Sequence, residues 1–425
     1  MICASALSAL SLMKIKWFLI LASFLLVLFL IDIYCYRSIK ILKKENRLTI
    51  KSIYWVLSLF IYIYITFLFL FPSIQRSAYD YKKILFIFGL FSLWYFPKLI
   101  LIVFQFLRDF LYLILYQVSS VFKLKVLKIK LNKLNYLIKI GFILTTIPLI
   151  LIIYGMNIGL FNFKIYQENI YFQNLPNAFD GLKIVLLSDI HIGGFYGHED
   201  EVIKAINMVN SQNPDLIVFT GDMVSNYAEE LDGWQTILSK LKAKEGMFSI
   251  LGNHDYGDYY KWKNAEDKIS DSEKIKKLQK SIGFRLLLNE SETLSKDGDT
   301  IAIIGVENFG RPPFFQYCDL NKAMKNSRRI PFKILLSHNP NQWMAEVTGK
   351  TDIALTLSGH THGMQMGIEW GNTHWSPAKY IFPRWAGLYQ SNQQYLYVNR
   401  GLGFVGLPAR IGMPAEITVL TLHKK

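Results

Sequence analysis

The chain changes its hydrophobic rhythm once, near residue 163. Before that point apolar residues come in long runs, at about Trp17–Ile33, Ile53–Phe71, Ile84–Leu107 and Ile140–Leu160. A bilayer core takes about 20 apolar residues as helix, and each run is close to that length. Hydrophobicity with no polar stripe predicts four membrane-spanning helices rather than amphipathic helices on a water-soluble core. Pro97 and Lys98 interrupt the third run and predict a kink or an early stop there. A single N-terminal run would read as a secretory leader. Four in series, with no small-residue cleavage site after the first, do not.

Beyond residue 163 the apolar stretches shorten and end in polar, glycine-containing clusters. Lys183–Leu187, Leu216–Phe219 and Met247–Leu251 read as buried strands, with helices at Glu199–Asn210, Tyr227–Leu241 and Lys261–Ser281. Strands alternating with helices predict βαβ units. Later strands, at Thr300–Val306, Phe332–Leu336, Ile353–Leu357, Tyr395–Val398 and Glu416–Leu422, follow more closely and suggest a second sheet with more hairpin character. The expected division is a membrane domain of about four helices, residues 1–162, followed by an α/β domain, residues 163–425. Met13, with Lys14 and Lys16 behind it, reads as an alternative start.

Charge sharpens this division. The chain of 425 residues carries a formal net charge of +15, which invites a nucleic-acid reading. Residues 1–165, however, hold 20 Lys/Arg against 4 Asp/Glu, and the rest 27 against 28. The positive charge flanks the apolar runs and belongs to membrane topology, so no nucleic-acid partner is expected. Arg37, Lys40, Lys43, Lys44, Arg47 and Lys51 follow the first run, and Arg108, Lys123, Lys125, Lys128, Lys130, Lys133 and Lys139 follow the third. Only Arg76, Lys82 and Lys83 follow the second. The first and third loops are therefore expected in the cytoplasm and the C-terminal domain outside it, in a multi-pass cell-membrane protein. Phe122–Lys133 alternates apolar and basic residues. It reads as a segment lying on anionic headgroups or, equally, as an ordinary basic loop. Cys3, Cys35 and Cys318 offer neither a disulfide framework nor a zinc-binding pair. Apart from Lys98 the runs show little polar interruption, which argues against a transporter.

The chemistry collects at the strand ends. Asp189, His191, Asp222, Asn253, His254, His338, His360 and His362 each follow an apolar run closely. Ligands of open α/β sheets bind at the carboxyl ends of strands, so five strand ends would deliver these residues to one crevice. Carboxylates and neutral imidazoles suit Zn, Mn or Fe. Asp189 and His191 can point to the same side of an extended segment, as can His360 and His362. Asp222 can bridge two ions roughly 3.5–4 Å apart, an arrangement that polarises a phosphoryl group and generates hydroxide. A lone histidine after a strand is ordinarily a packed core residue, and a lone aspartate an N-cap; the recurrence at every strand end favours a site.

The blocks SDIHIG, TGDMV, GNHDYG, LLSHNP and SGHTHG, in this order over residues 188–363, resemble the five signature blocks of the calcineurin-like metallophosphoesterases. YVNRGLG and PAEITVLTL further on resemble a bacterial branch of membrane-associated phosphohydrolases. The resemblance covers about Leu182–Leu422. It implies a four-layer αββα sandwich of two mixed sheets and two divalent metal ions. Asp189, His191 and His362 would hold the first ion, Asn253, His338 and His360 the second, with Asp222 between them. His254 would contact the phosphate or protonate the leaving group, and Asp255 would orient its imidazole. Many members of the branch carry glycine where this chain has Met364, which puts bulk beside the site.

Other residues carry less. Arg400 is a candidate for binding a substrate phosphate, or it pins a turn. Arg311 with Pro312 and Pro313 reads as a loop covering the site. Trp370, Trp375, Tyr380, Phe382, Trp385 and Tyr389 could hold an acyl chain, dip into the bilayer or form core. His198, His374 and His423 match no block. The expected activity is metal-dependent hydrolysis of a phosphoester or pyrophosphate bond, on a membrane-associated or lipid-linked substrate. The alternative is a non-catalytic, metal-stabilised membrane scaffold or sensor, for which a degenerate ligand set would be the mark.

Overall fold

The computed structural model describes residues 2–42, 48–70, 78–122, 132–310, 312, 314–371 and 373–425. The chain forms two compact units, Met1–Ile74 with Leu90–Ile153, and Gln75–Gly89 with Tyr154–Lys425. The second unit thus takes in the first turns of the third membrane helix, which no linear division of the sequence anticipates.

Among the described residues the membrane part holds the α-helices α1 (Ile2–Leu42), α2 (Leu48–Leu70), α3 (Ala78–Val121), α4 (Asn135–Leu144) and α5 (Thr146–Asn157). Four segments among the described residues are long and apolar enough to cross a membrane: Phe18–Ile41, Leu48–Leu70, Tyr81–Val121, and Asn135–Asn157, which is α4 and α5 in series. The chain is a membrane protein. Pro97 does not end α3, which runs on to Val121. In a helix bundle, neighbouring groups can compensate the amide hydrogen that proline lacks. The lysines at 123, 125, 128 and 130 lie outside the described residues.

The spans are less bare of charge than their sequence suggests. Asp32 is fully buried and pairs with Lys98. Its carboxylate also accepts the hydroxyls of Tyr62, of Tyr95 at 3.0 Å and of Tyr54 at 3.1 Å. The Lys98 ammonium lies 3.9 Å from the Trp94 ring. The carboxylate thus accepts from Lys98 and three tyrosines, and the ammonium lies over the Tyr54, Trp94 and Tyr95 rings, all inside the first unit, compensation that a low-dielectric medium demands. Nothing local in the sequence marks this cluster, since Asp32 and Lys98 stand 66 residues apart.

The second unit holds two mixed, six-stranded sheets. The strands are β1 (Phe163–Phe172), β2 (Leu182–Leu187), β3 (Leu216–Phe219), β4 (Gly246–Ser249), β5 (Arg285–Leu286), β6 (Glu290–Lys296), β7 (Asp299–Gly305), β8 (Lys333–Leu336), β9 (Leu355–Ser358), β10 (Ile368–Trp370), β11 (Thr373–Trp375), β12 (Gly387–Ser391), β13 (Gln394–Val398) and β14 (Ala415–Lys424). One sheet has the order β1-β14-β2-β3-β4-β5, the other β12-β13-β9-β8-β7-β6, and β10 with β11 forms a separate hairpin. In the first sheet β2 to β5 run parallel, with β14 antiparallel to β2.

The period-2 alternation of the strands builds the layers. Ile184, Leu186, Leu216 and Val218 face Ile301, Ile303, Ile334 and Leu336 between the sheets. Val185, Leu187, Ile217 and Phe219 point outward instead, against Val202, Ile206 and Val209 of α6 (Glu199–Ser211) and Ile275 of α7 (Ala265–Ser281). Outside the second sheet, Ala302, Ile304 and Leu335 meet Trp343 and Val347. The result is the four-layer αββα sandwich. One predicted helix is absent: Tyr227–Leu241 forms only short turns, Ala228–Leu231 and Gln235–Leu238. Gly233 between them sits at φ +85°, where the right-handed helix cannot continue.

Candidate metal centre

The carboxyl ends of β2, β3, β4, β8 and β9 point their loops to one place. Each loop leaves its strand through a sharp turn, and the turns have a shared signature. Asp189, His191, Asp222, His360 and His362 all have positive φ, between 44° and 74°. Such backbone costs energy for residues with a Cβ and persists where surroundings over-determine it, typically at functional sites. Glycines make room for the crowding. A Cβ on Gly359 would lie 1.9 Å from the Ser188 hydroxyl and 2.2 Å from Asp189 Oδ2.

Two sets of ligating atoms converge. In the first, His362 Nε2 lies 3.3 Å from Asp189 Oδ1 and 3.1 Å from His191 Nε2. In the second, His338 Nε2 lies 2.9 Å from Asn253 Oδ1 and 3.0 Å from His360 Nδ1. Asp222 Oδ2 stands 3.6 Å from His191 Nε2 and 3.2 Å from His338 Nε2, so one oxygen faces both sets. Its other oxygen accepts the backbone amide of His254 at 2.9 Å and is thereby fixed. Two ligand atoms held at right angles, about 2.1 Å from one ion, are about 3.0 Å apart, so these separations fit divalent metal coordination. All these histidines and aspartates but His360 are buried nearly completely.

Hydrogen bonds from the far ring nitrogens set the tautomers. His338 Nδ1 donates to the Thr220 carbonyl at 2.8 Å, which turns Nε2 toward the cluster. The far nitrogen of His191 meets the Ser225 hydroxyl at 3.2 Å. Asn253 donates its amide to the Tyr259 hydroxyl at 2.9 Å and so presents its oxygen to the cluster. These partners orient the inner atoms as outer groups do around bound metals. Thr220 and Ser225 flank the Asp222 block and were open to notice in sequence; Tyr259 was not, since nothing marks it among 24 tyrosines.

Electrostatics follow the packing. Burial alone would raise the Asp222 and Asp189 carboxyls, but the imidazoles beside them, His338 and His254 for Asp222 and His362 for Asp189, hold both below the usual carboxylate range. Burial would lower His338, yet Asp222 pushes it up to about 9. Burial and the neighbouring His338 press His360 down to about 3. Burial likewise holds His191 well below the ordinary histidine value.

His254 stands apart from the two sets. Its Nδ1 donates to the Ser225 carbonyl at 2.6 Å, leaving Nε2 without that proton. Its ring stands edge-on to His191 at 4.9 Å and against Tyr259 at 4.5 Å. The same residue is close enough to His191 and Asp222 to form a third potential ligand group.

Two expected roles move. Asp255 does not orient His254. Its buried carboxylate accepts the backbone amides of Asp222, Met223 and Gly252 at 2.8–2.9 Å and of Val224 at 3.2 Å, and so shapes the loop that carries Asp222. The Ser225 carbonyl takes the place expected for it. Arg400 faces no open cleft: it is 4% exposed, pairs with Glu416 at 2.6 Å and Glu369 at 2.7 Å, and lies over the Tyr166 ring. Arg311 lies outside the described residues. Met364 is 44% exposed and turns its bulk to solvent rather than into the ligand set. A support that sequence gave no sign of is Glu230, buried and accepting the amides of Ser225 at 2.8 Å and Asn226 at 2.7 Å.

Candidate ligand sets that share one carboxylate, at the strand ends of an αββα sandwich, are the arrangement of a metallophosphoesterase, a hydrolase of phosphoric ester bonds. Comparison with known proteins agrees. Residues 182–364 match the family model "Calcineurin-like phosphoesterase", and residues 14–160 match "Probable Calcineurin-like phosphoesterase, transmembrane domain". An uncharacterized metallophosphoesterase, YkuE of Bacillus subtilis, is 35% identical over 58% of this chain and 81% of its own. One from Helicobacter pylori is 30% identical over 96% of this chain and 99% of its own. The UDP-2,3-diacylglucosamine pyrophosphatase LpxG of Chlamydia trachomatis is 30% identical over 54% of this chain and 81% of its own. This chain spans 54–62% of the length of three further relatives, from zebrafish, cattle and Campylobacter jejuni. The chain belongs to the calcineurin-like metallophosphoesterases, with a membrane domain ahead of the catalytic one.

Proposed function

We propose that this protein hydrolyses a phosphoester or pyrophosphate bond in a lipid-linked substrate, at a site for two divalent ions. Asp189, His191 and His362 would hold one ion, Asn253, His338 and His360 the other, and Asp222 both. The observation that carries the reading is the single oxygen of Asp222 that faces both sets. Ions bound there supply Lewis acidity toward a phosphoryl group and lower the pKa of water. Mn, Zn and Fe all suit this mixture of imidazole and carboxylate.

The chain's own groups do the rest. With Nδ1 donating to the Ser225 carbonyl, His254 can take up a proton at Nε2 and deliver it from there to the leaving oxygen. Asp255 and Glu230 hold the two turns on which Asp222 and Ser225 ride. The lipid assignment rests on the spans and on the diacylated substrate, UDP-2,3-diacylglucosamine, named for the chlamydial relative. The charge bias of the loops favours an extracytoplasmic catalytic unit and so a phospholipid or polyprenyl phosphate rather than a cytoplasmic substrate. Parity agrees, since Tyr81 and Leu85 at the start of α3 pack with Leu160, just after α5, as the two ends of a returning helix pair would.

The test is hydrolysis of bis-p-nitrophenyl phosphate and p-nitrophenyl phosphate by the full chain in detergent, with Mn added and then chelated. Mn-dependent turnover, abolished in Asp222→Asn, is expected. A chain that binds Mn yet cleaves neither ester, nor any phosphorylated lipid in mixed micelles, contradicts the catalytic reading.

A further inference from the structure

The β10–β11 hairpin is built as if for a medium other than water. Its register pairs Ile368 with Trp375, Glu369 with His374 and Trp370 with Thr373. Alternation therefore puts Ile368, Trp370 and Trp375 on one face. The other face is polar and tied down: Glu369 binds Arg400 at 2.7 Å and the Tyr166 hydroxyl at 2.7 Å. Much of the apolar face is bare among the described residues. Trp370 is 84% exposed and Ile368 56%, and the turn that follows adds Tyr380 at 75% and Ile381 at 62%. A two-stranded hairpin is marginal in water by itself, and an exposed apolar patch rimmed by polar groups marks an interaction surface.

The hairpin's root shows what this face meets. Gly367 donates to the Ile411 carbonyl at 2.9 Å, and Arg410 donates to the Gly155 carbonyl at 3.2 Å, in the last turns of α5. A Cβ on Gly155 would come within 2.8 Å of the Ile411 side chain. The hairpin thus springs from the segment that packs on the end of the last membrane span, where the bilayer surface lies. Tryptophan and tyrosine with an adjacent lysine, here Lys379, are the residues of the membrane interface.

The same segment hangs from the ligand loop. Ser376 donates to the Gly363 carbonyl at 2.6 Å, Thr361 to the Trp385 carbonyl at 2.6 Å, and Phe382 lies edge-on to His360 at 5.3 Å. We infer that the apolar face of this hairpin, with Tyr380 and Ile381, sinks into the interfacial layer of the bilayer that α5 crosses. It thereby holds the His360–His362 loop at the level of the lipid phosphates. The inference rests on the membrane spans and not on the hydrolytic reading.

The test uses the full chain in vesicles of neutral phospholipid, with Cys3, Cys35 and Cys318 replaced by serine. A nitroxide goes on Trp370→Cys, or on Asn392→Cys in the exposed β12–β13 turn at the far end of β13 from the metal centre. Power saturation compares collision with oxygen, which enters the bilayer, and with a polar nickel chelate, which does not. The position at 370 is expected to favour oxygen, and that at 392 nickel. Nickel accessibility at 370 equal to that at 392 overturns the inference. So does shielding of 370 from both, which would indicate a protein partner or a second copy instead. A second reading comes from Trp370→Ser with Tyr380→Ser, both exposed and so harmless to folding. The pair should slow hydrolysis of phosphorylated lipid in vesicles about tenfold while soluble diester turnover stays within about twofold. Equal rates on both substrates overturn the inference, and loss of diester turnover alone would bear on the metal centre, not on the hairpin.

Discussion

The molecule buries charge in two places, and it does so in opposite ways. In the membrane unit, Asp32 receives Lys98 and three tyrosine hydroxyls, so each acceptor meets a proton. In the catalytic unit, nitrogens and oxygens face one another about 3 Å apart, with His338, His191 and Asn253 held from behind by Thr220, Ser225 and Tyr259. The first set is closed and needs nothing more. The second is a set of lone pairs aimed at common points, which only protons or cations can reconcile. A closed network of buried charges reads as structure, whereas a convergent surplus of lone pairs reads as a binding site.

Breaking each set should therefore have different consequences. Asp222→Asn is expected to lower diester turnover by at least about a thousandfold with the fold intact by circular dichroism. Asp32→Asn should leave turnover per folded molecule within about twofold but destabilise the membrane unit by about 3 kcal/mol, read as a lower Tm in detergent. Replacing both partners, Asp32→Leu with Lys98→Met, should recover much of that loss, because no uncompensated charge stays buried. Equal loss of turnover in the Asp32 and Asp222 variants would erase the distinction.

His254→Ala sharpens the role of the imidazole that stands outside the two sets. It should cost about a hundredfold or more in kcat and leave bound metal unchanged. Loss of metal in this variant would make His254 a ligand. Asp255→Ala, in contrast, should act on stability and metal content together, since it strips four backbone amides of their acceptor.

Two expectations concern protons. Burial pushes Glu230 up to about 7, above its ordinary value of 4.5, against the pull of the backbone amides it accepts. The folded state therefore holds that proton more tightly than the unfolded chain does. Stability from this group is full below pH 4.5 and is lost as pH rises to about 7, by roughly 3 kcal/mol in total. Glu230→Gln should flatten the dependence of Tm on pH over that window, and an unchanged slope would contradict the assignment. His338, raised to about 9 by Asp222, carries a proton at neutral pH that an incoming ion must displace. Calorimetric titration with Mn at pH 7, in two buffers of different ionisation enthalpy, should register a released proton, with less release above pH 9.

The smallest effect belongs to Met364. It sits at φ +48° with its side chain in solvent. Met364→Gly should gain up to about 1 kcal/mol of stability by relieving that backbone, without altering kcat.

Much of this was legible in the sequence where the signal is local. The four spans follow from runs of apolar residues, and the candidate ligand residues from their position just after short buried strands. The sandwich's second sheet announced itself in closer strand spacing. What escaped has a common cause, dependence on contacts far apart in the chain. Asp255 stands next to His254, and adjacency suggests partnership, but the strand-end turn sends its carboxylate to the loop 31–33 residues earlier. Arg400 looked available for phosphate until Glu369 and Glu416 closed around it. The helix expected over Tyr227–Leu241 failed at Gly233, where a positive φ overrides the amphipathic pattern. The β10–β11 hairpin carries aromatic residues that read equally as core, and only their exposure decides against it.

Asp222 is proposed to join two ions. Electron paramagnetic resonance of the Mn-loaded full chain, alongside elemental analysis, tests it most directly. Two Mn per chain with an exchange-coupled signal, falling to uncoupled Mn in Asp222→Asn, is the predicted result. A wild-type chain that binds a single Mn, or two without coupling, would contradict it.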